Sequence, residues 1–453
     1  ASGYTKAEMF VHYLTLPMIV MLTAALVGNI LGYTVMKNFV KSIYYNSYSL
    51  PTFETVWSTE AFVKTTIIPC LIIIAINVVV LLKALSLSPL QLLRREFSKK
   101  KNKKAVKLPD LKFISRFRLR VILQNMSAYL TMFAGIFFAG VLLMFGMMFP
   151  PLLNNYKDEV SHSKIADYQY ILKAPFEVEN ESVEKYCVTS LTTENGEEIT
   201  VYGVEDNSAY VKNIDFEKNG IYLSEGFCEK YKLEKGDSIT LYNDYENKEY
   251  AFKVNAQYSY PPALSLFMSI DTFREMFEVS DSEYSGYFSN EKLDIPNTMI
   301  ATLITEHDLS VVATQLETSL GMVFSLFAGF AIIVYIIVMY LLAKIIIERN
   351  AYSISMLKIL GYPDIDISKI YNTASAVVAV ASILVSSIIS GTVIKLIYNL
   401  MMFKMTGWLT FYLSPWIYPA ILAIGCACYF IIYLILYRKI KKIPLGVALK
   451  NKE

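Results

Sequence analysis

Six stretches of this chain are apolar for about 20 residues each, at 13–36, 62–82, 128–149, 320–342, 374–397 and 416–437. A hydrocarbon layer about 30 Å thick needs about 20 such residues to be crossed as a helix. The six runs are nearly free of charge and are bounded by Lys, Arg, Tyr and Trp, the residues that settle at membrane boundaries. The overall composition agrees, with 54% hydrophobic residues and a mean hydropathy of +0.40. We read the chain as an α-helical transmembrane bundle of six spans with an inserted α+β extracytoplasmic domain.

Charge separates sharply along the chain. Residues 150–317 hold 31 of the 40 acidic residues against 13 of the 42 basic ones, a net −18. Residues 83–127 hold 13 Lys and Arg against Glu96 and Asp110, and the tail from Arg438 holds six against one. Because Lys and Arg near span ends stay on the cytoplasmic side, 83–127 and the tail are expected inside. Span parity then places 37–60, 150–319 and 398–415 outside and 343–373 inside. The KKKNKK run at 99–104 reads as a topology determinant touching lipid head groups and not as a nucleic-acid site. Residues 113–122, with Arg116, Arg118 and Arg120 set among apolar neighbours, suit the membrane interface.

The acidic region is long enough for its own core. Residues 197–204 alternate like a strand after Asn195-Gly196, 238–242 and 249–254 read as a hairpin, and 271–277 and 308–316 read as helices. Cys187 and Cys228 lie there; they could pair outside the cell, or be two small buried residues. The pairs Glu181 with Glu184 and Glu197 with Glu198 read as surface carboxylates.

The chain also repeats itself. Gly3-Tyr4 precedes the first span and Gly361-Tyr362 the fifth, at an offset of 358 residues. At that offset Ala24, Gly28 and Gly32 fall on Ser382, Ser386 and Ser390, so both spans carry a small-residue stripe that lets a neighbouring helix come close. A weaker echo joins Ser88-Pro89-Leu90 to Ile443-Pro444-Leu445.

The stretch 348–362, ending Ser355-Met356-Leu357-Lys358-Ile359-Leu360-Gly361-Tyr362, is followed by a span, an outer loop, a span and a Pro-containing basic tail. This order resembles the FtsX-like permeases of ABC systems. Residues 220–225 (GIYLSE) and 231–241 (YKLEKGDSITL) resemble the MacB-type version of the family's outer domain. Five parts are expected: 1–96, the last two spans of a first unit; 97–127, a basic linker with an interfacial helix; 128–149, the first span of a second unit; 150–319, the outer domain; and 320–453, the last three spans with a coupling segment and basic tail. On this reading the chain begins partway through a first unit, and Gly3 and Tyr4 are the remnant of that unit's coupling segment.

The resemblance implies a permease subunit in the cell membrane that carries ATP-driven motion from a cytoplasmic ATPase to the outer domain, to export or extract a peptide, lipid or lipoprotein. The alternative is a non-transporting sensor that regulates envelope enzymes or resistance. ATP and Mg would be bound by the partner, since the chain has no Gly-x-x-x-x-Gly-Lys-Ser/Thr loop. No catalytic set, cofactor site or metal site is expected, and His12, His162 and His307 are scattered. The expected partners are the ATPase, the bilayer and an extracytoplasmic peptide, lipid or protein, with no nucleic acid. The ATPase-coupling residues would be Arg349, Ser353, Ile354, Met356, Leu357, Lys358, Leu360, Gly361 and Tyr362. Ile354, Leu357 and Leu360 supply the spacing of a short amphipathic helix, and Gly361 its C-cap. Ser353 stands where the family often has an acid, so a pairing made by that acid is not expected here.

Cysteines introduced into 99–104 are expected to react with an impermeant maleimide only after the membrane is breached, and one at Asn243 to react in intact cells; outside labelling of 99–104 would reverse the orientation.

Overall fold

The computed structural model describes residues 5–47, 50–86, 109–110, 112–180, 182–212, 214, 216, 220–244 and 246–445. The 99–104 run, the echo at 88–90, Gly3, Tyr4 and Glu181 lie outside them. The chain divides into two compact units, 1–109 and 110–453. Among the described residues six helices are long and apolar enough to cross a membrane, and a sheet region is inserted between the third and the fourth.

In the first unit, α1 (Lys6–Leu31) opens on a capping box. The Thr5 hydroxyl accepts the Glu8 N–H while the Glu8 carboxylate accepts the Thr5 N–H, satisfying two donors that a helix start otherwise leaves bare. The helix passes through a π-turn (Gly32–Met36) into α2 (Lys37–Ser47). The second apolar helix, from α3 (Thr59–Phe62) to α4 (Ile68–Leu85), has its own π-turn at Val63–Ile67. Asn29 Nδ2 donates to Thr66 Oγ1 at 2.9 Å across the pair. Ala24 and Gly28 are exposed and Gly32 is half-exposed. A Cβ built at Gly28 or Gly32 would meet nothing within 4 Å, so among the described residues no helix packs closely on these glycines.

The second unit begins with α5 (Phe113–Gln124), over the arginine-bearing segment, and α6 (Met126–His162). Although the sequence places the end of the third span at residue 149, α6 runs on through Pro150-Pro151 to His162. The fourth apolar helix, α9 (Glu306–Arg349), has 44 residues and absorbs the separate helix expected at 308–316. Its start is another capping box, Thr305 with Asp308. No proline follows to stop it. At 1.5 Å per residue, α6 and α9 are ~55 and ~66 Å long, so each projects ~25–35 Å beyond a hydrocarbon layer of about 30 Å. Lys164 Nζ to Glu306 (2.6 Å), Ser161 Oγ to Glu306 (2.6 Å) and Lys157 Nζ to Glu317 (2.5 Å) tie the projecting ends into a stalk. Glu306 is held below the usual carboxylate range by its hydrogen bonds from Lys164 and Ser161.

The sheet region sits on that stalk. Strands β1 (Tyr168–Leu172) and β9 (Ile300–Thr305) pair antiparallel; β1 follows α6 after a short connection at 163–167, and β9 runs directly into α9. Between them come β2 (Glu184–Thr192), β3 (Glu198–Val204), β4 (Ile221–Ser224), α7 (Glu225–Tyr231), β5 (Ser238–Asn243), β6 (Lys248–Tyr258), β7 (Ser265–Ser269), α8 (Ile270–Phe277) and β8 (Gly286–Ser289). The strand order is β3-β7-β4-β6-β5-β2-β8-β1-β9, and β2 also pairs with β3. Strand β2 therefore does two jobs. Its residues 187–192 close a small barrel against β3, and its residues 184–186 extend into the β8-β1-β9 sheet nearest the stalk. Ile199, Val201, Leu223, Phe227, Leu241 and Leu266 fill the barrel. Cys187 and Cys228 are both buried and free, as the second of the two sequence readings had them.

The membrane part of the unit is completed by α10 (Ala351–Ile359), α11 (Asp364–Met402) and α12 (Ile417–Lys441). Close approach is set by small residues. A Cβ at Gly146 of α6 would lie 2.8 Å from the backbone nitrogen of Ala328 in α9. Ser382, Ser386 and Ser390 are buried on α11, and a Cβ at Gly140 would sit 3.9 Å from the hydroxyls of Ser386 and Ser390. Ser386→Leu would overfill this contact, at a cost of about 1–3 kcal/mol. We expect a lowered thermal unfolding midpoint for purified S386L and near-parental behaviour for S386A; an unchanged midpoint in S386L would mean that the two helices separate freely.

Candidate functional site

Two places tie the membrane helices to what lies beyond them. At the end far from the sheet domain, α9 stops at Asn350, whose side chain accepts from Asn125 Nδ2 at 3.3 Å and donates to Ile346 O. The next nine residues form α10. Its end is a Schellman turn: Tyr362 N–H bonds Leu357 O, Gly361 N–H bonds Lys358 O, and Gly361 has φ of +88°, a left-handed conformation that glycine adopts without strain.

One face of α10 is fixed to the bundle. Ile354 is 0% exposed and packs with Ile347, Ile367 and Ile440; Leu357 is partly buried on the same cluster. The Ser355 hydroxyl lies 3.0 and 2.9 Å from the carbonyls of Pro444 and Leu445. Lys358 Nζ reaches the carbonyls of Ile440, Lys441 and Ile443 at 2.8–3.2 Å and Asp364 at 3.0 Å. It thereby caps the C-terminal end of α12, where bare carbonyls and the helix dipole favour a cation. Glu348 and Lys439 form a further link at 2.5 Å.

The opposite face is open and apolar. Tyr352, Met356, Ile359 and Leu360 follow one another at helical spacing, all exposed, with Leu360 at 69% and Tyr362 just beyond. Arg349 and Ser353 are exposed as well. The three residues whose spacing marks the helix, Ile354, Leu357 and Leu360, are thus divided between its two sides. Ile354 points into the bundle, Leu357 lies between, and Leu360 alone of the three is on the open side. The helix is apolar on both sides, so periodicity by itself could not say which side the bundle takes.

At the opposite end, the loop after α11 is gripped by the sheet domain. Glu197 and Lys230 form an ion pair at 2.5 Å with side chains only 9% and 3% exposed. The Glu197 carboxylate also accepts Gly407 N–H (2.7 Å) and the Tyr231 hydroxyl (2.6 Å). Lys230 spends its other two donors on the carbonyls of Met405 (2.7 Å) and Gly407 (3.1 Å). Trp408 Nε1 donates to Glu229 at 2.7 Å, and the absent side chain of Gly226 leaves room for the indole. Burial and the neighbouring Glu197 carboxylate push the Tyr231 hydroxyl up to about 12, so it stays a donor at neutral pH.

Sequence reading missed this clasp. Glu197 and Glu184 were both expected on the surface, and both are buried; burial raises the Glu184 carboxyl while Ala209 N–H donates to it at 3.0 Å. Glu197 finds its partners 33 and 210 residues away along the chain, and no local pattern marks such a pairing. Among the described residues no group of three His, Cys, Asp or Glu side chains converges in a way that could hold a metal ion.

Residues 325–445, which run from the fourth apolar helix through α10, α11 and α12, match the family model described as FtsX-like permease C-terminal. This is the family that the 348–362 motif resembles. No curated protein matches the chain.

Removing one partner of a buried ion pair leaves the other uncompensated, at about 3–5 kcal/mol. Lys230→Met is therefore expected to free the loop and to speed trypsin cleavage after exposed Lys404 by about 100-fold or more. The double change Glu197→Leu with Lys230→Met should recover part of the protection. Equal cleavage of all three proteins would show that the clasp does not hold the loop.

Proposed function

We propose that this chain is the permease subunit of an ABC-type system in the cell membrane and works as a mechanical transmitter. A separate cytoplasmic ATPase, binding ATP and Mg, docks on the open face of α10 formed by Tyr352, Met356, Ile359 and Leu360. Its closing and opening move α10, and the packed helices shift as bodies. The sheet domain outside changes pose and exports or extracts a peptide, lipid or lipoprotein substrate.

The observation that carries this reading is the unbroken run of α9. It extends from the Thr305 cap at the sheet domain to Arg349, one residue before α10. A displacement at one end has no hinge in which to dissipate. The locking of Ser355 and Lys358 to the end of α12 further supports transmission, because a push on α10 is passed to a second helix at once. The match of 325–445 to an FtsX-like permease model supports the choice of an ABC ATPase as the partner.

The test uses the exposed face. Met356→Asp with Leu360→Asp alters two side chains that the bundle does not need, so folding should change by no more than about 0.5 kcal/mol. In an interface the same carboxylates would be buried without partners, at several kcal/mol. Recovery of the co-expressed ATPase on the purified chain is expected to fall roughly 100-fold, the equivalent of about 3 kcal/mol, with insertion and protease resistance of the sheet domain unchanged. Undiminished recovery with intact stimulated ATP hydrolysis would remove the docking role from α10.

A further inference from the structure

A cavity of about 470 Å³ lies directly against the clasped loop, within the range of about 300–1,000 Å³ typical of small-ligand pockets. Its inner wall is Phe149 stacked on Phe324 at 3.6 Å between ring centroids, and its outer wall is formed by Met402, Met405 and Trp408. The lining is overwhelmingly apolar, and unbranched methionines let such a wall adapt to a flexible guest. Nothing in the proposed transmission uses this space.

Its level in the molecule is fixed by its residues. Phe149 ends the third apolar run of the sequence, Phe324 lies near the start of the fourth, and Tyr398, also in the lining, directly follows the fifth. The cavity therefore stands where the hydrocarbon layer gives way to the outer interface. Met405 both lines it and is 54% exposed, and Phe403 beside it is exposed too. The loop residues on this side of the cavity thus present apolar surface outward as well as inward. Between those two residues along the chain Lys404 is exposed as well.

We propose that this cavity binds one acyl chain of an outer-leaflet lipid, with Lys404 facing an anionic head group. An apolar guest held at the polar boundary of the bilayer, with a cation next to the lining residue Met405 in the chain, has the chemistry of a phospholipid. The guest would press on Met405 and Trp408, whose backbone or indole groups the sheet domain holds through Lys230 and Glu229. Occupancy would therefore be felt outside the membrane. The site rests on the reading of the chain as a membrane permease and names a ligand for its outer end.

The chain has three tryptophans, Trp57, Trp408 and Trp416. The variant W57F/W416F keeps Trp408 in the cavity wall as the sole emitter, whereas W57F/W408F keeps Trp416, which is exposed and reports bulk lipid. Both are placed in nanodiscs with rising fractions of phosphatidylglycerol brominated on its acyl chains. Trp408 quenching is expected to saturate at a roughly tenfold lower fraction than Trp416 quenching, a preference of about 1.4 kcal/mol. Unbrominated phosphatidylglycerol should reverse it, and adding Leu153→Phe with Met402→Phe, which fills the cavity, should abolish the saturable part. Parallel quenching of the two tryptophans would overturn the site. Saturable quenching by a bromophenylalanine peptide and not by the lipid would overturn the acyl-chain assignment. No quenching of Trp416 at any fraction would instead remove the membrane reading on which the site rests.

Discussion

A backbone amide inside hydrocarbon has no water to bond, so every crossing segment must satisfy its own N–H and C=O groups as helix. That constraint governs this molecule well beyond the apolar layer. Once α6 and α9 are committed to helix, nothing ends them at its edge. Pro150 and Pro151 do not stop α6, and α9 is capped only at Thr305, where the sheet domain begins. The result is a domain carried on two helices that are stiff by the same hydrogen bonds that let them cross. The salt links between Lys157, Lys164, Glu306 and Glu317 then hold the two helices in register outside.

Helices in lipid gain little from expelling water, so their association depends on close fit. Gly146 against Ala328, and Gly140 against Ser386 and Ser390, provide that fit in the second unit. The clasp works by a different principle. Lys230 and Glu197 give up hydration, and each is compensated by several partners, among them the backbone of residues 405 and 407. A buried pair satisfied this fully adds less to net stability than to specificity. It fixes which stretch of the loop sits against the sheet domain, because only backbone groups spaced as in Met405 and Gly407 match the ammonium.

Much of this architecture was legible in the residues. The six apolar runs, the 238–242 and 249–254 hairpin, the strand after Asn195-Gly196 and the glycine turn at Gly361 each follow from local chemistry. Helix α6 runs past residue 149 and α9 takes in 308–316 because hydropathy marks where an apolar run ends, whereas helix ends are set by caps and breakers. The inner segment was found by its spacing, but its orientation was not, since Ile354 and Leu360 are equally apolar and only the packed bundle distinguishes them. The stripe at Ala24, Gly28 and Gly32 resembles that at Ser382, Ser386 and Ser390 in sequence, yet among the described residues only the latter is buried. The clasp was invisible because its members come from three distant parts of the chain, and burial of a glutamate leaves no trace in its neighbours.

The anchoring of α12 at both ends has a geometric consequence. Lys358 holds its inner end to α10, and its outer end continues from the loop that Lys230 and Glu197 hold to the sheet domain. Meanwhile α9 joins the same two bodies directly. Two bars hinged to a common pair of plates make a parallelogram. If both bars tilt together, the plates stay parallel and the sheet domain shifts without rotating. If one bar slides along the other, the plates must rock, and the weakest joint yields first. Taken as rigid rods, the two helices leave a displacement at one end only two outcomes at the other, a parallel shift of the sheet domain or a load on the buried contacts of Glu197 and Lys230.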